Sequence, residues 1–578
     1  RGAKKSNREQ LYLSLLGSCL LSLVSRFFLL FARKGAETQR NLTANSSISS
    51  RLLPLVSRLS LLASWLFVLA SCFLPLFSFL LQKKNMLPIF TQAQLHPHAI
   101  AIVDASGEYT YGSLWERSTQ VALHLLDGQA DLNQARVAFM VSPGINYVAT
   151  LWGIWKAGGI AVPLCLSYPL PSLTYVIEDT KAAILVVEKT YQDLLQPYAL
   201  EKEIPLLDVQ AVQQQLEPNS LPEVSSDRGA LILYTSGTTS LPKGVLSTHA
   251  NLEAQISTLI HAWEWTATDH TLCLLPLHHV HGLVNVTCCA LWAGATLQFL
   301  HPFQAAEVFS IFLEGKVNVF MAVPTIYFKL IAEFDSYSEN QKKELTACMS
   351  AFRLMVSGSA ALPASVMERW KEVSGHTLLE RYGMTEIGMA ISNPYRGDRR
   401  TGYIGTPLPG VKVRLVDEAF EAVALGTPGE IQVKGPGVFA TYWGKAEATQ
   451  KAFTEDGWFK TGDIAVVENG YYRILGRDSI DIIKSGGYKI SALEIEEVLR
   501  SHALIKDCAV IGIPNEEWGE LVAAVLVTET TLELAELKDW LKERLPNYKS
   551  PKVYQLLAEL PRNAMGKVVK NELKPLFS

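Results

Sequence analysis

The 578 residues suffice for roughly three to five domains of ordinary size and exclude a peptide hormone or a disulfide-stapled mini-protein. A composition of 48% hydrophobic and 19% charged residues excludes a disordered or collagen-like chain. Charge is unevenly spread: residues 1–85 hold 12 Lys+Arg against Glu9 and Glu37, a local +10, which leaves an acidic remainder of −14 ill suited to nucleic acid.

In chain order the leader comes first. Leu59 to Gln82 is uncharged and rich in Leu, Ser and Phe, long enough to cross a bilayer core of about 30 Å. Leu11 to Ala32 is similar but carries Arg26. Three readings of residues 1–85 stay open: a membrane anchor, an Arg-rich and acid-poor organelle-targeting segment, or an upstream region read through before Met86, the first methionine. Translation from Met86 would leave a cytoplasmic protein. The eight cysteines show no CxxC spacing, so a reduced compartment is expected, with neither a disulfide framework nor a zinc site.

After Met86 the stretch HPHAIAIVDASGEYTYGSL reads as two short strands split by a Gly turn. Between Ala135 and Glu188, β-branched runs (Val137 to Val141, Ile160 to Pro163, Ala183 to Val187) alternate with helical patterns (Tyr147 to Ala157, Leu170 to Thr180). That alternation predicts βαβ units and parallel sheets. Val317 to Val323, a helix after Pro324 and Phe352 to Val356 continue it. Gly410 to Val433 turns to Gly/Pro-punctuated strands, a small β-rich subdomain. A last unit from Gly476 holds helices at Ala492 to Ser501 and Leu534 to Arg544, with strands at Cys508 to Ile513 and Leu521 to Thr528. The fold class is α/β: a large N-terminal domain over 86–476 with parallel sheets and a β subdomain, and a small mobile α+β domain over 477–578.

The strongest chemical signal is ALILYTSGTTSLPKGV. An apolar strand, Ala230 to Tyr234, runs into Thr235, Ser236, Gly237, Thr238, Thr239 and Ser240, then Pro242, Lys243 and Gly244. Hydroxyls and unhindered N–H groups at the carboxyl end of a strand suit phosphate oxygens, and Lys243 adds charge. It is not a Walker A loop, because Lys243 is followed by Gly244 instead of Ser or Thr. In ERYGMTE, Tyr382 beside Gly383 can present a flat face to a base, Thr385 a hydroxyl and Glu386 a hard oxygen ligand for Mg²⁺. Asp463 can accept from two ribose hydroxyls and Arg477 can donate to the same sugar. The bland alternative for that pair is a surface ion pair worth under about 1 kcal/mol.

YTSGTTSLPKG resembles the phosphate-loop signature of the adenylate-forming superfamily, which includes acyl-CoA synthetases, firefly-type luciferases and peptide-synthetase adenylation domains. Its later motifs follow in order: LPLHHVHGL at 275–283, SGSAALP at 357–363, ERYGMTE at 380–386, GWFKTGD at 457–463, GRDSIDIIKSGGYKIS at 476–491 and PRNAMGK at 561–567. Ser240 departs from the family, which usually has Gly there. The resemblance implies ATP contacts at Thr235, Ser236, Gly237, Thr238, Thr239, Lys243, Ser359, Glu380, Arg381, Tyr382, Gly383, Met384, Thr385, Asp463 and Arg477, with Mg²⁺ on Glu386. It implies a catalytic Lys567 that swings in to neutralise charge on the α-phosphate, with Thr385 and His279 as further catalytic groups, and a pantetheine channel at Gly486, Gly487 and Lys489. Lysine and channel serve different steps, so the C-terminal domain is expected to rotate about Ser479.

Within the superfamily the chain most resembles malonyl-CoA synthetases. The expected reaction is malonate, ATP and CoA to malonyl-CoA, AMP and diphosphate. A second carboxylate needs a fixed cation. Arg399 and Arg400 are the expected pair, with His279 and His281 lining the acyl pocket. The alternative is a short- or medium-chain monocarboxylate ligase, and remoter ones are a luciferase-like or non-catalytic homologue. A peptide-synthetase module would carry a further domain after the lysine motif, whereas 11 residues follow Lys567, so a stand-alone ligase is expected.

Overall fold

The computed structural model describes residues 87–214, 216, 220–235, 241–486, 488–528, 530–562 and 567–577. The leader, Ser236 to Ser240 and Gly487 lie outside the described residues. Residues 85–578 form one compact unit.

Two large sheets carry the first lobe. In one, the strands Arg136–Met140, Ile160–Pro163, Ile184–Val187, Leu206–Asp208 and Gly229–Thr235 run parallel, as βαβ units require. The helix Ile145–Lys156 buries every residue but Asn146. It is apolar all round, so it lies between layers and not on a surface. In the other sheet, Thr296–Phe299, His270–Cys273, Val319–Ala322, Leu354–Ser357 and Leu379–Met384 are parallel neighbours.

Antiparallel strands cap both sheets, which the βαβ pattern does not announce. Lys243–Thr248 returns beside Gly229–Thr235 with Thr235 opposite Lys243, so the register holds together the two ends of the segment predicted to hold phosphate. ERYGMTE begins on a strand: Leu379–Met384 folds back on Gly388–Ser392. Gly383 permits that hairpin, because a Cβ there would collide with the Gly388 carbonyl and Met389. The four-stranded antiparallel subdomain comprises Lys412–Val416, Gly429–Lys434, Phe459–Glu468 and Tyr471–Arg477.

The C-terminal lobe has its own sheet, built from Ile482–Ser485, Tyr488–Ser491, Ile505–Asn515, Gly519–Thr528 and Val553–Leu556. Helices Ala492–Arg500 and Leu534–Lys542 pack on it around Ile495, Leu499, Leu537 and Leu541. Among the described residues no helix is long and apolar enough to cross a membrane.

Candidate active site

Three elements converge on one cleft. The β subdomain supplies Asp463 and Arg477, which face each other across the pairing of Phe459–Glu468 with Tyr471–Arg477. Arg477 Nε donates to Asp463 Oδ1 at 2.9 Å, and the Tyr382 hydroxyl donates to Oδ2 at 2.6 Å. The structure therefore joins three residues that lie far apart in sequence. Burial, with the Asp463 charge, drives the Tyr382 phenol well above its ordinary range, so it stays a donor.

Glu386 follows Thr385 in the turn after Leu379–Met384. Its Oε1 accepts from the Tyr442 hydroxyl at 2.9 Å, while Oε2 is buried without a partner. Burial raises its pKa, against the Tyr442 hydrogen bond and the charges of Arg477 and Lys243. Lys243 lies over the Tyr442 ring, 5.1 Å from its centroid. An orphaned buried carboxylate oxygen facing a lysine of the phosphate segment is the donor set that a phosphate-bound Mg²⁺ needs, a single protein carboxylate with the rest of the shell from phosphate and water. No cluster of three metal-ligating side chains exists among the described residues.

A second group of buried polar side chains surrounds Arg381. Glu380 and Arg381 are adjacent on a strand, so their side chains leave on opposite faces. Glu380 Oε1 accepts from the Leu362 N–H at 3.2 Å, and burial, with the Glu497 charge, raises its carboxyl to about 8. Arg381 is only 4% exposed and lies against Gly358, where any side chain would overlap the guanidinium. Its Nε and Nη2 have no partner. Burial pushes it down to about 10, which still leaves a cation at neutral pH. His281 Nδ1 lies 3.1 Å from Ser359 Oγ, and Ser359 adopts the left-handed conformation at φ 72°. The His278 and His279 ring centroids lie 4.1 Å apart, with the rings tilted at 48°. The Nε2 atoms of His278, His279 and His281 are all buried without partners. Burial lowers His279 to about 4, helped by Lys567, and holds His281 well below its usual range, helped by Arg381. Burial also lowers His278, to about 3, so for all three burial favours the neutral imidazole over the imidazolium.

Lys567 reaches this cleft from the C-terminal lobe. Surrounding protein lowers its pKa, with Arg477 and Arg381 repelling its charge and Asp463 and Asp481 favouring it. The residue as a whole is exposed, so water screens much of that depression. Those neighbours locate it between the Asp463 pair and the Arg381 side of the site. Its tail is anchored at Lys570, whose Nζ lies 2.6 Å from both Asp481 Oδ1 and Glu496 Oε1. Burial alone would lower the pKa of Lys570, yet the two carboxylates together raise it.

Other predicted residues lie elsewhere. Arg399 spends its fork on the carbonyls of Pro394, Thr377 and Tyr395 at 3.2, 2.8 and 2.8 Å. Arg400 pairs with Asp398 at 2.9 Å and stacks on Tyr471. Neither shares a hydrogen bond with the Arg381 cluster. Gly486, at φ 56°, donates to the Trp518 carbonyl with no room for a side chain beside the indole, and Lys489 pairs with Glu418 at 2.7 Å. Ser479 sits in the turn after Arg477, where the Asp481 carboxylate accepts from the Arg477 N–H at 3.1 Å. The signal that sequence reasoning passed over is Arg381, grouped there with the nucleotide contacts. Its lack of partners appears only in three dimensions.

The sequence model of the family described as AMP-binding enzyme matches residues 89–443, and that of the AMP-binding enzyme C-terminal domain matches 494–567. Malonate–CoA ligase ACSF3, mitochondrial, of Xenopus laevis is 45% identical over 530 residues, covering 85% of this chain and 92% of that protein. Malonate–CoA ligase of Arabidopsis thaliana is 38% identical over 534 residues, covering 84% and 87%. The crystal structure of ATP-bound MatB from Rhodopseudomonas palustris superposes with TM-score 0.78 at 34% identity, covering 85% of this chain and 99% of that one.

Proposed function

Because this chain belongs to the AMP-binding enzyme family, we propose that it is an ATP-dependent malonate–CoA ligase working through malonyl-adenylate. The observation that carries malonate over a monocarboxylate is Arg381, a buried cation with two unpartnered nitrogens beside neutral histidines. A guanidinium left so in an apolar wall costs stability unless an anion fills the space. A planar carboxylate matches its fork. We assign the distal carboxylate of malonate to Arg381, in place of Arg399 and Arg400.

In the first half-reaction the other carboxylate of malonate attacks the α-phosphate, the bond from that phosphorus to the bridging oxygen breaks, and diphosphate leaves. Lys567 neutralises charge growing on the phosphoryl oxygens. Tyr382, Asp463 and Arg477 hold the nucleoside, and Thr235, Lys243 and Thr385 flank the phosphates, with Ser236 to Thr239 assigned there by motif. Mg²⁺ on Glu386 would supply charge neutralisation between phosphate oxygens. In the second half-reaction the CoA sulfur attacks the acyl carbon and AMP leaves, with His279 lining the thiol path. Gly486, Gly487 and Lys489 serve that step after rotation about Ser479, so we place the domain boundary just after Gly476. The Arg-rich leader is read as organelle-targeting, a reading favoured by relatives whose names carry the word mitochondrial.

The test is acid-dependent diphosphate release by the purified full-length protein. Malonate is expected to exceed butyrate by up to about 10⁴ in kcat/KM, the scale at which a site built around a polar partner rejects an analogue lacking it. Equal use of the two acids would refute the dicarboxylate reading.

A further inference from the structure

The C-terminal lobe grips the first lobe through a contact that neither nucleotide nor acyl chemistry requires. Helix Ala364–Ser374 begins behind Pro363, which has no side-chain oxygen to cap it. Its leading N–H groups therefore need acceptors from elsewhere. Glu497 provides one: its Oε1 accepts from the Ala364 N–H at 2.9 Å, across 133 residues of sequence. The positive end of the helix favours the incoming carboxylate.

Glu497 sits on helix Ala492–Arg500 directly after Glu496, which holds Lys570 three residues beyond Lys567. One turn of helix thus carries both the contact to the first lobe and the anchor of the tail bearing the lysine. We propose that Glu497 is a positioning residue whose carboxylate latches the C-terminal lobe onto helix Ala364–Ser374 and so fixes Lys567 in the cleft for the first half-reaction. This rests on the adenylating role of the cleft. Rotation about Ser479 that swings the Gly486 turn to the acyl group must draw Glu497 off Ala364, so the latch serves one orientation and opposes the other.

The half-reactions separate this role from a merely structural one. Full-length Glu497→Ala and Glu497→Gln are compared with wild type in malonate-dependent ATP–diphosphate exchange and in thioester formation from synthetic malonyl-adenylate. Glu497→Ala is expected to lose about tenfold in exchange, the scale of one charge-assisted hydrogen bond, while thioester formation holds or rises. Glu497→Gln, which still accepts from Ala364, is expected to recover most of the exchange. An equal fall in both half-reactions, or an unchanged exchange rate, overturns the proposal. Should wild type show no exchange with any acid, the ligase reading fails instead. Amide hydrogen exchange at Ala364 then judges the contact alone: faster exchange in Glu497→Ala supports the latch, and an unchanged rate overturns it.

Discussion

The surroundings of Arg381 and the tail behind Lys567 treat buried polar groups in opposite ways. Around Arg381, the guanidinium, Glu380 Oε2 and three imidazole nitrogens are buried without partners. Around Lys570, the ammonium meets Asp481 and Glu496, and Glu496 also accepts from Val510 N–H and pairs with Arg500. A fully satisfied network rigidifies the tail, whereas unsatisfied buried groups call for a partner that the chain itself does not supply. The same contrast separates two arginines 18 positions apart: Arg399 has given its donors to carbonyls and Arg381 has kept them.

The largest effect expected from that contrast is at Arg381. Arg381→Met should lower kcat/KM for malonate by about 10³ and spare butyrate, since it removes two charge-assisted hydrogen bonds. Steady-state kinetics on both acids measure it, with Arg399→Met as the control. A matching loss in the control would mean that the partnered arginine is the anchor. Next comes the satisfied region. Lys570→Met removes the ammonium shared by Asp481 and Glu496 and should cost about 3 kcal/mol in denaturant unfolding of the C-terminal lobe. A change near zero would show that the network is not buried in solution.

Lys567→Ala, on the boundary between the two regions, should slow adenylation by about 10², the scale of one preorganised charge, and leave thioester formation from malonyl-adenylate intact. Equal losses in a folded variant would remove the assignment. The raised Glu380 carboxyl adds a pH dependence of stability. Glu380 is raised from 4.5 to about 8, so between those values the folded protein holds a proton that the unfolded chain has released, and stability falls as pH rises. Glu380→Gln should remove that slope: its Tm should exceed that of wild type at pH 8 and approach it near pH 4.5. Parallel Tm profiles would contradict the raised carboxyl.

Much of this was legible in the sequence because it is local. The helix over Leu170 to Thr180 and the strand over Ile160 to Pro163 come from runs whose period and punctuation agree, and the structure has the same bounds. The family motifs likewise lie on contiguous residues. What escaped depends on distant partners. Lys243–Thr248 reads as the end of a loop, and only pairing with Gly229–Thr235 makes it a strand. Arg399 looked available because Thr377, Pro394 and Tyr395 turn their carbonyls toward it only once the loop has folded. Glu497 is one of three acids in ALEIEEVLR with nothing local to distinguish it.

The pairing of Asp463 with Arg477 has a consequence in thermodynamic bookkeeping. Arg477 is two residues before Ser479, the proposed pivot, and its N–H donates to Asp481 beyond it. Any ligand that claims the oxygens of Asp463 must share or displace the donors from Tyr382 and Arg477, which changes what it costs to turn the lobe. Reciprocity then requires that turning the lobe change the affinity for that ligand by the same factor. Nucleotide affinity measured on a variant locked in one orientation is therefore a property of that orientation, and the ratio between two locked variants reads the coupling directly.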